Sequence, residues 1–168
     1  MTSKLKTDIL ETVSGSGTIA LTNQLSGMTS ASVPSGSVLQ VVSSLFKTNT
    51  TTTSTSYIST GHSVTITPKE STSTILLSLL GGHAAQATNR AVELTFYKGS
   101  SVLNTYFFSK HKVNADNLVH GHAMCGQDIH GVTSAITYTV YFKADGAHNV
   151  QYSSTAGEIF LTATEIKA

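Results

Sequence analysis

The most distinctive spacing of chemically capable side chains lies in LVHGHAMCGQDIH, residues 118–130. It holds three imidazoles, His120, His122 and His130, and the chain's one thiol, Cys125. Two chemistries could use such a set. A thiolate beside an imidazole is a nucleophile with its base. No family signature surrounds Cys125, however, and free cysteine is more often a small core residue. A His-x-His pair on a strand can instead give two imidazoles to one metal ion. Alternation over 119–125 puts Val119, Gly121, Ala123 and Cys125 on one face, with His120, His122 and Met124 on the other. The small apolar set suits a core. That sends the two histidines outward, either as metal ligands or as surface groups bonded to neighbours and water.

Elsewhere the chemistry is thin. There is no GxSxG, no P-loop, no GxGxxG followed by an acidic residue, and no HExxH. The nine carboxylates include no pair that sequence alone marks as a glycosidase dyad. Asp116, Asn117 and Asp128 are too few for a calcium site. Tyr106, Phe107 and Phe108 could stack on a sugar, but with apolar neighbours on both sides they read as core. His62 falls on the apolar face of its strand and reads as a satisfied core or interface histidine. His148, beside the Asp145-Gly146 turn, reads as exposed. The expectation is a protein that is not an enzyme and needs no cofactor, unless His120 and His122 hold a metal.

The elements that must carry these residues follow from composition. A chain of 168 residues and 17.6 kDa supports one domain and a short appendage. Only 11% of residues are charged, with a net charge of +1, while Ser and Thr supply 49 positions. That favours an all-β protein with a hydroxyl surface and excludes a coiled coil or a nucleic-acid footprint. The longest apolar stretch, Ile75 to Leu80, is broken by Ser78 and is too short for membrane insertion. The N-terminus lacks the apolar core of a signal peptide, so a soluble protein made without a cleaved leader is expected. Between Glu11 and Lys69 the one charged side chain is Lys47. A stretch so neutral predicts a surface meant to be covered.

Strand-like segments recur about every ten residues, at 37–46, 62–68, 73–80, 91–97, 102–109, 135–142, 149–153 and 158–166. Residues 73–80 are apolar on both faces, as a central strand is. Turns at Lys98-Gly99-Ser100 and Asp145-Gly146 predict the adjacent hairpins 91–97/102–109 and 135–142/149–153. No 3.6-residue apolar stripe persists. The pattern predicts an antiparallel β-sandwich, jelly-roll-like. Residues 1–34 read as an extended N-terminal arm, with the flexible SGSG at 14–17 between two short apolar pieces.

Several segments resemble a recurrent module of bacteriophage tail fibres and related virion proteins, of the marine and cyanobacterial phage type. They are LKTDILETVSGSGTIALTNQLSG, PSGSVLQVV and TSTSYISTGHSVTITPKESTSTILLSL, then AITYTVYFKADG and LTATEI. Residues 111–131 depart most from that pattern. The resemblance implies a β-sandwich over 35–168 that assembles on the virion as a homotrimer, docked by the arm over 1–34. Leu5, Ile9, Leu10, Ile19 and Leu21 are the expected anchors, since an extended arm binds through backbone pairing and pockets for alternate side chains. The implied partners are other virion proteins of the tail, baseplate or capsid, and a host-surface glycan. Fibres of this kind use His-x-His pairs on their axes, where threefold symmetry turns two imidazoles into six around one metal ion. The expected function is a tail-fibre or host-attachment module. A capsid decoration (cement) protein is the alternative, and a carbohydrate-binding, lectin-like domain is the alternative from another class.

Overall fold

Alternating apolar and hydroxyl residues, many of them β-branched, leave little that could fold other than as strands. The computed structural model describes residues 30–85, 90–103, 108–113, 118–152 and 158–168. The strands are β1 (Val38–Phe46), β2 (Thr50–Thr52), β3 (Ile58–Ile66), β4 (Thr74–Ala85), β5 (Arg90–Lys98), β6 (Ser101–Val102), β7 (Phe108–Val113), β8 (Leu118–Ile129), β9 (Ile136–Ala144), β10 (Val150–Tyr152) and β11 (Ile159–Ile166). Every pairing is antiparallel. Residues Pro34–Ala168 form one compact unit. Among the described residues no helix is long and apolar enough to cross a membrane.

Two sheets enclose the core. In the larger, β11 lies between β1 and β4, and β8 lines the other edge of β4. Beyond Leu80, β10 takes over the place of β11 beside β4 and carries β2. The smaller sheet runs β3, β9, β5, with β6 and β7 sharing the outer edge of β5. The interior is filled by Val64 and Ile66 of β3, Ile75, Leu77 and Leu79 of β4, Leu94 and Phe96 of β5, Tyr138 and Phe142 of β9, and Leu161 of β11. Each such side chain contributes about 1.5–3 kcal/mol by leaving water.

The first expected hairpin is present. Tyr97 faces Val102 and Thr95 faces Phe108, so one strand pairs with both halves of the return. The second is not. β9 stays in the smaller sheet while β10 joins the larger one, against β4 and β2. The Asp145-Gly146 turn is tied back onto β5 instead of reversing in the plane. The Ala91 amide donates to Asp145 Oδ1 at 3.0 Å, and the Asp145 amide to the Ala91 carbonyl at 3.2 Å. The chain leaving that turn therefore crosses to the opposite sheet. The same turn corrects His148, which is buried, with Nε2 3.3 Å from the Ala91 carbonyl and 3.4 Å from Asp145 Oδ1.

The facing expected for β8 is also reversed. Met124, Gly126 and Asp128 point inward, and Ala123, Cys125 and Gln127 outward. Gly126 explains the choice: a Cβ there would lie 2.8 Å from Phe96 Cδ2, so this strand approaches the core closely because it has no side chain at that point. Phe96 fills the space.

Candidate functional site

Three clusters hold the polar side chains that a site could use. The first closes one end of the sandwich. Glu165, on the inward face of β11, is fully buried. Its Oε1 accepts from the Lys69 amide at 2.8 Å, the Glu70 amide at 3.2 Å and the Ser73 hydroxyl at 2.6 Å. Its Oε2 accepts from the Gln40 side-chain amide at 2.6 Å. Burial pushes this carboxyl up, but those hydrogen bonds outweigh it and hold the pKa below the usual carboxylate range. Ser73 Oγ is also 3.1 Å from His130 Nε2, while the Val132 amide donates to His130 Nδ1 at 3.2 Å.

A Ser, a His and a Glu thus sit in contact, wired in the wrong order for acyl transfer. In a hydrolase the imidazole lies between the hydroxyl and the acid and takes the hydroxyl proton. Here the hydroxyl lies in the middle and gives its proton towards Glu165. The imidazole's other nitrogen is already taken by a backbone amide. Ser73 is fully buried as well. This trio is a clamp on the β3–β4 turn.

The second cluster crosses the core. His62 points inward with Thr60, Val64 and Ile66 on β3, whose pairing with β9 is irregular between Ser59 and Ser63, with Gly61 at φ 79°. Thr60 Oγ1 donates to the Val140 carbonyl at 2.8 Å, standing in for an interrupted ladder bond. The ring of His62 stacks on Phe46 at 5.0 Å and sits 2.7 Å from the Tyr152 hydroxyl and 3.1 Å from the Ser44 carbonyl. The sequence reading of His62 as a satisfied interior histidine holds. Burial, only partly offset by the Ser44 carbonyl, lowers its pKa. The unfolded chain therefore binds this proton first. The His62 contribution to stability is complete above about pH 6.5 and drains as pH falls towards the folded value. Denaturant melts at about pH 7.5 and 5.5 should show a loss of stability in the wild type and a visibly shallower loss in His62→Gln. Equal slopes would mean His62 does not carry this acid sensitivity.

The third cluster decorates the outer face of the smaller sheet. Glu93 pairs with Lys110 at 2.8 Å and Lys143 at 3.1 Å. Lys143 also lies over the Tyr57 ring at 4.7 Å, and Tyr97 stacks on Tyr141 at 3.8 Å. Burial, then the charge of Glu93, pushes the Tyr57 hydroxyl up to about 12. The rings cover one another, so this arrangement knits three elements together.

The opposite outer face is different in kind. On the larger sheet the register sets Leu45, Phe160, Leu80 and Ala123 in one row across β1, β11, β4 and β8. Ser43, Thr162, Ser78 and Cys125 form the next row, then Val41, Thr164, Leu76 and Gln127, then Val38, Ile166, Thr74 and Ile129. None of these side chains is acidic or basic. Of the nine large hydrophobics exposed among the described residues, seven stand on this face, including Val41 at 56%, Leu80 at 55% and Phe160 at 46% exposed. Ion pairs mark its two ends, Lys47 with Glu158 at one and Lys167 with Glu70 at the other.

The candidates from sequence are placed unevenly. The backbone sets His120 opposite His83 and His122 opposite Gly81, and the imidazoles of His120 and His122 lie outside the described part. Among the described residues no three His, Cys, Asp or Glu side chains come together to hold a metal ion. Cys125 is exposed in the second row of the uncharged face, not in the core. Leu5, Ile9, Leu10, Ile19 and Leu21 lie outside the described residues, as do Tyr106 and Phe107. No protein-family model and no curated protein matches the chain.

Proposed function

We propose that this chain is a non-enzymatic structural module of a phage-type virion, serving in a tail fibre or host attachment. The uncharged four-strand face carries the reading. A free monomer rarely leaves so broad an apolar surface in water, and its bracketing by ion pairs resembles an interface core with a polar rim. The winding supports the reading too. Two antiparallel sheets in which β1, β11, β4 and β8 neighbour one another, and β3, β9, β5 and β7 likewise, support a jelly-roll reading, an architecture used by viral shell and lectin domains. The contrast between the faces suits a module with one side buried in an assembly. The other side, with its tyrosines, threonines and Lys–Glu pairs, is left to solvent.

The arm over 1–34 is the proposed anchor, with Leu5, Ile9, Leu10, Ile19 and Leu21 in pockets on the particle. A chain lacking residues 1–34, produced together with the rest of its virion, is expected to keep the sandwich's circular dichroism and melting behaviour but be missing from purified particles. Normal incorporation of the truncated chain would overturn the arm's role.

A further inference from the structure

We infer that the uncharged face of the larger sheet is the contact surface for a second copy of this chain, packed face to face about a twofold axis. This rests on reading that face as one buried in an assembly, and it names what buries it.

Charge excludes most other occupants. A partner bringing a carboxylate or an ammonium onto these rows would desolvate it with no opposite charge to meet, at a cost of several kcal/mol. The occupant must be as neutral as the face, and the described chain has one such surface: this one. Two copies meet there without repulsion, and the ion pairs at either end fall at the rim.

Area is sufficient. Four strands about 4.8 Å apart and about eight residues of about 3.3 Å each span roughly 19 by 26 Å. That is on the order of 500 Å² per copy before side-chain relief, so two copies bury about the 1,000 Å² in total that a specific interface needs.

Relief is also present. A shallow hollow of about 200 Å³, lined by Leu76, Cys125, Gly126 and Gln127, opens on the same face as the exposed Leu80 and Phe160. In a twofold pair each copy supplies both parts, so Phe160 of either copy can fill the other's hollow.

The edges are guarded where the face is not. Edge strand β8 carries Asp128 pointing inward, bonded to the Tyr138 hydroxyl at 2.6 Å and to Lys98 at 2.8 Å. Edge strand β1 has a register shift between Val38 and Gln40. An inward charge and a bulge are devices that stop a sheet from growing sideways. Association is directed to the face.

The test is light scattering on the full chain at tens of micromolar, with Leu80→Lys and Phe160→Lys as variants at exposed positions. Wild type should give twice the chain mass, and each variant a folded monomer with dissociation at least about 100-fold easier. Labelling of the Cys125 thiol supplies an independent reading: slow in the wild type at high concentration, fast after dilution and in both variants. A monomeric wild type, variants that stay paired, or fast labelling at every concentration would overturn the pairing. So would a mass of three chains, which would restore the threefold arrangement. If a monomeric wild type still needs Leu80 and Phe160 to enter particles, self-pairing fails while the structural role stands.

Discussion

Replacing Glu165 with glutamine is expected to cost about 3 kcal/mol, and so to lower the melting midpoint by about 6–12 °C for a domain of this size. The carboxylate accepts from two backbone amides, one hydroxyl and one side-chain amide, all of them donors. A glutamine offers one oxygen and turns an NH2 group towards the remaining donors, so at least one buried pair is left facing N–H to N–H. The pH dependence should change as well. Because the folded pKa lies below the usual range, the wild type keeps this contribution above about pH 4.3 and loses it as pH falls further. Glu165→Gln should be less stable at neutral pH and lose less than the wild type on acidification below that point. A variant melting with the wild type would show that the clamp at Ser73 is not what holds the β3–β4 turn.

Gly81→Val should be as damaging, by about 3 kcal/mol and again about 6–12 °C. A Cβ at residue 81 would lie 2.5 Å from Ile159 Cγ1 and 2.8 Å from Ile159 Cβ. The second of these is bound directly to the β11 backbone, so no change of rotamer relieves it and β4 and β11 must separate. Gly121 in β8 is the control, since nothing lies within 4 Å of its added Cβ. Gly121→Val should melt close to the wild type. Combining Gly81→Val with Ile159→Ala should cost somewhat less than the sum of the two, because alanine removes the Cγ1 and Cγ2 contacts while the Cβ contact at 2.8 Å remains. Strict additivity would mean the two strands are not packed as described.

Period-2 alternation made most of the sandwich legible. Val92, Leu94 and Phe96 of β5 and Ile136, Tyr138, Val140 and Phe142 of β9 are all buried, as alternate apolar positions in a strand should be. The pattern fails on β8, where small size does not mark the core-facing residues. Ala123 and Cys125 lie on the outer surface, while the interior position is cleared by Gly126 for Phe96. The β9–β10 crossing was not legible, since Asp145-Gly146 reverses a chain equally well within a sheet or between two. The Glu165 clamp had a signal: a carboxylate at an inward position after Leu161 and Ala163 demands several donors. The donors themselves, at residues 40, 69, 70 and 73, come from far along the chain and become visible only once β1, β4 and β11 are assembled. The neutral surface had a signal as well, in Leu76 and Leu80 on the outward parity of a strand already apolar inward. Charge scarcity along residues 12–68 pointed to something covered, but the surface is organised by sheet, and β4, β8 and β11 supply most of it.

The first strand of the sandwich lies beside its last. The Gly36 amide donates to the Lys167 carbonyl and the Lys167 amide to the Ser37 carbonyl, each at 2.9 Å, and Ser35 Oγ reaches the Ala168 carbonyl at 2.6 Å. The polypeptide therefore enters and leaves the module at one corner. Tension applied across that corner loads the β1–β11 ladder end-on, breaking its bonds one pair at a time instead of all at once in shear. A link in a chain under load would fail early with such geometry.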